Sequence, residues 1–100
     1  MKEVNPIVIC RVTGQAVSTV KHKALTGFKL LVCEPLSDLG GGPVVLAVDL
    51  VGAGEGDTVG VVTGEPARHA AGAQVPVDAA VVAILDSVAV GGSTIIGRRG

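Results

Sequence analysis

Five short runs rich in Val, Ile, Leu and Thr, most of them stopped by glycine or proline, leave this chain little room for helices. The runs are Ile7 to Val20, Lys29 to Glu34, Val44 to Asp49, Thr58 to Thr63 and Ala79 to Val90. β-Branched residues pack well on a pleated surface and lose side-chain freedom in a helix, so each run reads as a strand. Pro35 closes the second run, Gly40-Gly41-Gly42-Pro43 precedes the third, and glycines at 52, 54 and 56 separate the third from the fourth. Gly14 lies inside the first run, where a glycine suggests the bulge or bend that a small curled barrel needs. One short helix fits, over Glu65 to Ala71, with Pro66 at an early position that needs no N–H and Gly72 as the stop. The expectation is an all-β domain, a small five-stranded barrel with one short helix inserted before the last strand.

With 100 residues the chain has room for one domain. The expected barrel domain spans residues 1–90, and residues 91–100, GGSTIIGRRG, read as a flexible tail or a peripheral strand. Val88 and Val90 are the last residues expected in the core.

A domain this small leaves about a third of its chain's surface exposed. Charged residues make up only 17% of the sequence, apolar residues 48%, and mean hydropathy is +0.61. Apolar surface should therefore remain uncovered, and uncovered apolar patches mark association sites. The sequence points to self-assembly. The longest purely apolar runs, Val44 to Val48 and Ala79 to Leu85, fall far short of the roughly 20 residues that span a bilayer. Asn5 and Pro6 interrupt any N-terminal signal pattern, so the chain reads as soluble and intracellular, with no membrane partner.

A groove for single-stranded nucleic acid needs cations along the backbone and flat rings beneath the bases. Phe28 is the one aromatic residue and the net charge is −1, which argues against a nucleic-acid partner. Cys10 and Cys33 have no metal-ligand spacing, so two reduced, buried thiols are expected.

The segment VGAGEGD, 51–57, fails as a phosphate loop. Its glycines are spaced G-x-G-x-G, no lysine follows, the next run is a strand, and Glu55 and Asp57 would repel phosphate. It reads as a turn. Asp49, Asp57, Asp78 and Asp86 sit at strand or turn edges, where aspartates bond nearby backbone N–H groups. His22 and His69 lack ligand partners, and Ser18, Ser37, Ser87 and Ser93 lack a nucleophile-elbow setting. No catalytic, cofactor or metal constellation emerges. Lys21, His22 and Lys23 form a basic cluster that is either a solvated hairpin loop or a contact loop for an acidic partner edge.

Three blocks then carry a resemblance. They are VTGQAVSTVKHKALTGFKLLVCEPL (12–36), VDLVGAGEGDTVGVVTGEPARHA (48–70) and VPVDAAVVAILDSV (75–88). Together they resemble the EutN/CcmL family, the pentameric vertex proteins of bacterial microcompartment shells. Lys21, His22, Leu25, Gly27, Lys29, Leu30 and Leu31 match one family pattern. Val51, Gly52, Ala53 and Gly54 match a second, and Pro76 to Val82 with Ile84 and Asp86 a third. The residues before Ile7 and after Val88 extend past the match, and Glu65-Pro66 departs from the usual start of the helix.

The resemblance implies an OB-like barrel that assembles as a homopentamer, caps five-fold corners among hexameric shell proteins, and catalyses nothing. It also implies contact roles: Lys21, His22 and Lys23 against shell neighbours, and Gly52, Ala53 and Gly54 near the ring axis, where small residues permit close backbone approach. Two other functions compete, an OB-type nucleic-acid module and an oligomeric accessory subunit of a metabolic enzyme. The near-absence of aromatic residues weighs against the first.

Overall fold

A computed structural model of the chain describes residues 7–16, 28–64, 67 and 79–96. The strands are β1 (Val8–Ala16), β2 (Lys29–Pro35), β3 (Val45–Asp49), β4 (Thr58–Thr63), β5 (Ala79–Ile84), β6 (Ser87–Val90) and β7 (Ser93–Ile96). The first five close into a barrel in the order β1-β2-β3-β5-β4, with β4 pairing back to β1. Every pairing in it is antiparallel except β3 with β5. Closure leaves the barrel no free edge to aggregate.

Alternation along each strand divides the side chains into two sets. Cys10 and Val12 of β1, Leu31 and Cys33 of β2, Ala47 of β3, Val59 and Val61 of β4, and Ala79 and Val81 of β5 fill the interior. The bore is narrow: among the described residues Leu31 is the largest fully buried side chain, and the others that fill the interior are valine, alanine or cysteine. On the outside, Val48 and Ala80 form a second buried layer with Phe28, Leu30, Leu50, Val62 and Val82 against it. Ala67, helical and fully buried, covers that layer. The other residues of the expected helix, 65–71, lie outside the described residues.

The bulge expected at Gly14 is present. Val12 pairs with Cys33 and Gly14 with Val32, so Thr13 is the extra residue. A second irregularity falls between Gly60 and Val61 in the pairing with β5, which leaves Val82 unmatched. Bulges sharpen the twist that bends a flat ladder into a barrel.

The run expected as one strand from Ala79 to Val90 is two. β5 ends at Ile84, Leu85 donates its N–H to the Thr58 carbonyl at 2.8 Å, and the chain bends at Asp86. Thr58 is the first residue of β4, so the ladder has no partner to offer beyond it. β6 therefore leaves the barrel and pairs with β7 as a separate two-stranded sheet. Val88 is only half-buried and Val90 is 48% exposed, so neither belongs to the core expected from sequence. Residues 93–96, read as tail or peripheral strand, form a strand, and the boundary drawn between 90 and 91 falls at the turn of this hairpin. That turn is Gly91-Gly92, with φ of 55° and 86°. Two consecutive positive φ values are what a two-residue turn of the favoured hand requires.

Candidate functional site

The described part of the candidate site is the loop between β3 and β4, residues 50–57, built around two aspartates. Asp49 ends β3 with its side chain 4% exposed. Its Oδ1 accepts the N–H groups of Val51, Gly52 and Ala53 at 3.1, 3.2 and 3.2 Å, so one oxygen organises three consecutive amides. Its Oδ2 lies 3.5 Å from Lys29 Nζ. Lys29 also donates to the Ala53 carbonyl at 2.7 Å, which ties the loop to β2. The second half turns on Asp57: its Oδ2 accepts from Gly54 at 2.8 Å and its own N–H returns to the Gly54 carbonyl at 3.0 Å. Gly56 donates to the Val12 carbonyl, and Val12 to that of Asp57, which fastens the loop to β1.

The three candidate axis residues are thereby brought together, though not in equivalent settings. Gly52 is exposed with φ of 83°. Gly54 is half-buried. Ala53 is fully buried and its methyl belongs to the interior cluster, so it seals one end of the barrel. Outward the loop shows Val51, Gly52 and Glu55. Lys21, His22 and Lys23 lie outside the described residues.

The turn-edge role expected of the aspartates holds at Asp49 and Asp57. The sequence marks Lys29 only as a strand residue and a pattern match, and the structure adds its part in the loop. It stands opposite Asp49 in the β2–β3 ladder, a pairing that becomes readable only once the register is known.

Cys10 and Cys33 are free, buried thiols, as expected. Burial pushes Cys10 up to about 12, with the nearby Cys33 adding to the shift. Burial likewise pushes Cys33 up to about 11, with Asp49 adding to it. Both are neutral, poor nucleophiles at physiological pH. Among the described residues no three metal-ligating side chains cluster, and no helix is long and apolar enough to cross a membrane. This arrangement is a loop bonded to itself and to its barrel, suited to presenting a defined surface.

The family model described as "Ethanolamine utilisation protein EutN/carboxysome" matches residues 7–86. The bacterial microcompartment shell vertex protein EutN of Salmonella typhimurium is 41% identical over 87 residues, covering 84% of this chain and 88% of that protein. The carboxysome shell vertex protein CcmL of Thermosynechococcus vestitus is 46% identical over 83 residues, covering 80% and 84%. Among solved structures, the GrpN pentameric microcompartment shell protein from Rhodospirillum rubrum superposes with a TM-score of 0.73 at 41% identity, covering 83% of this chain and 98% of that one.

Proposed function

This chain belongs to the EutN/CcmL family, and from that premise we propose that it is a structural shell protein of a bacterial microcompartment in the cytoplasm. It forms homopentamers that cap the five-fold vertices of the polyhedral shell, and it has no catalytic role. One observation carries the reading: the match to shell vertex proteins runs through the whole barrel, from Ile7 to Asp86. The exposed apolar side chains support it, with Ile7 59% and Leu46 55% exposed on the single chain. A closed ring repeats one head-to-tail contact until the rotation closes, and such contacts bury apolar surface.

A flat hexagonal sheet encloses no volume, and a five-fold unit among six-fold tiles supplies curvature by symmetry alone. The partners are therefore hexameric shell proteins meeting the rim of the pentamer. On this reading Lys21, His22 and Lys23 belong to that rim, where charges set register and partner choice more than affinity. Gly52, Ala53 and Gly54 lie near the ring axis, with Ala53 contributing backbone alone because its methyl is turned into the barrel.

Native mass spectrometry of the purified protein tests the ring: a five-chain species is expected, and a dominant monomer or dimer at micromolar concentration overturns it. Electron microscopy of cells lacking the gene tests the vertex role. Facets should still assemble while corners stay open or particles elongate. Sealed, regular polyhedra with no second vertex protein expressed would refute it. Lys21→Glu with Lys23→Glu should leave the pentamer intact and reduce its incorporation into shells.

A further inference from the structure

Thr58, the first residue of β4, carries a fully buried hydroxyl with no hydrogen-bond partner among the described residues. A buried hydroxyl left unpaired is costly, and valine has nearly the same shape, so the group calls for a use. Its surroundings narrow the choice. Val59 and Val61 of β4 fill the interior, as do Cys10 and Val12 of β1, so Thr58 and Arg11 both stand on the outer face. The two are directly opposite in the β1–β4 ladder. Val12 donates its N–H to the Asp57 carbonyl, so the next pair along, Arg11 with Thr58, is a non-hydrogen-bonded one, the kind whose side chains stand closest.

Arg11 is half-buried and makes no ion pair or side-chain hydrogen bond among the described residues. Its other ladder neighbour is the exposed Glu34 of β2. Leu36 donates to the Ile9 carbonyl, which makes Arg11 with Glu34 a hydrogen-bonded pair, the wider kind. The arginine side chain therefore starts nearer to Thr58 than to Glu34. On the far side of Thr58, Leu85 bonds its carbonyl and brings no polar side chain. A guanidinium with five N–H donors and a hydroxyl thus share one spot on the outer wall. What the pair lacks is an acceptor.

We propose that Arg11 and Thr58 form a binding site for a small oxyanion, with the guanidinium fork taking two of its oxygens and the hydroxyl donating to one of them. Carboxylates and phosphates both match the planar fork of arginine. The ligand enters as Arg11, tied to no partner, swings clear of the threonine. Glu34 opposes binding by like charge and limits its strength. The site goes beyond the shell reading and stands apart from the ring, since every residue in it belongs to one chain.

Thermal melts of the full chain in sodium phosphate and in sodium acetate, each against sodium chloride at equal pH and ionic strength, test it. A ligand that binds only the folded protein raises the melting temperature progressively with its concentration. At least one of the two anions should do so, and the one that does identifies the class. Phosphate also stabilises folded proteins by exclusion from their surface, an effect every variant shares, so the bound part is what a variant loses. Arg11→Met and Thr58→Val should each weaken binding by about tenfold, while Thr58→Ser keeps it. In chloride, Thr58→Val should melt no lower than wild type, because it removes an unpaired hydroxyl. Should Arg11→Met fold poorly, the valine and serine variants of Thr58 decide between them. A wild type that gains no more than Thr58→Val from either anion overturns the site. So does a Thr58→Val variant that melts well below wild type in chloride, since the hydroxyl would then be paired within the chain.

Discussion

At the scale of single residues, Asp49 governs the described part of the candidate site. Its carboxylate holds three loop amides and one lysine, and replacing it removes all four partners at once. Asp49→Ala should cost about 1–3 kcal/mol, because amides in a half-buried loop lose their acceptor. Lys29→Met should cost less than about 1 kcal/mol, since Lys29 is more than a third exposed and water screens its ion pair. Urea denaturation of both variants checks the order, and equal or reversed losses would refute the Asp49-centred account. The cysteines predict an alkaline limit. Their folded pKa values, about 12 and about 11, lie above the ordinary 9.0, so the unfolded chain loses those protons first. Stability is fully present below pH 9 and declines as pH rises through the folded values, by at most about 1.4 kcal/mol per pH unit for each thiol. Cys10→Ala with Cys33→Ala should flatten that decline in thermal melts from pH 8 to 11, whatever it does to stability at neutral pH.

At the scale of elements, two glycines that look alike in sequence do different work. Gly14 sits at the β1 bulge, but its φ is not positive and a Cβ there would meet nothing within 4 Å. Gly14→Ala should be neutral or stabilise by about 0.5–1 kcal/mol, through reduced freedom of the unfolded chain. Gly52 also has open space around a Cβ, yet its φ of 83° strains any other residue. Gly52→Ala should therefore cost about 1–2 kcal/mol. Denaturant midpoints of the two variants should move in opposite directions, or Gly14 should not move at all. A loss at Gly14 matching that at Gly52 would mean that the bulge, not the dihedral, needs glycine.

At the scale of the whole molecule, shared topology does not transfer function. The β1-β2-β3-β5-β4 barrel is OB-like, an architecture that also serves oligonucleotide binding. This chain offers Phe28 as its single aromatic, half-buried against the outer layer, and a net charge of −1. Fluorescence anisotropy with single-stranded DNA and RNA at physiological salt should show no sub-micromolar binding, because one aromatic residue and a net charge of −1 supply neither rings to stack on nor a surplus of cations. Tight binding would reopen the nucleic-acid reading. What the surface does offer is apolar: Ile7, Val44, Leu46, Ile84 and Val90 all stand exposed on the single chain.

Read alone, the sequence determined the strand content, the bulge near Gly14, the burial of both thiols and the surplus of apolar surface. Each follows from local chemistry: β-branched side chains, a residue without a Cβ, and too few charges to cover a small domain. Tertiary structure decided where the last apolar run stops being barrel. Ala79 to Val90 is apolar except at Asp86-Ser87, and that polar pair marks a break without revealing that β4 begins only at Thr58 and leaves β6 without a barrel partner. It also decided that Lys29 and Asp49, 20 positions apart, meet across a ladder, and that of three small loop residues only Ala53 turns inward. Register and barrel height are relations between strands, and a pattern read along one strand at a time does not contain them.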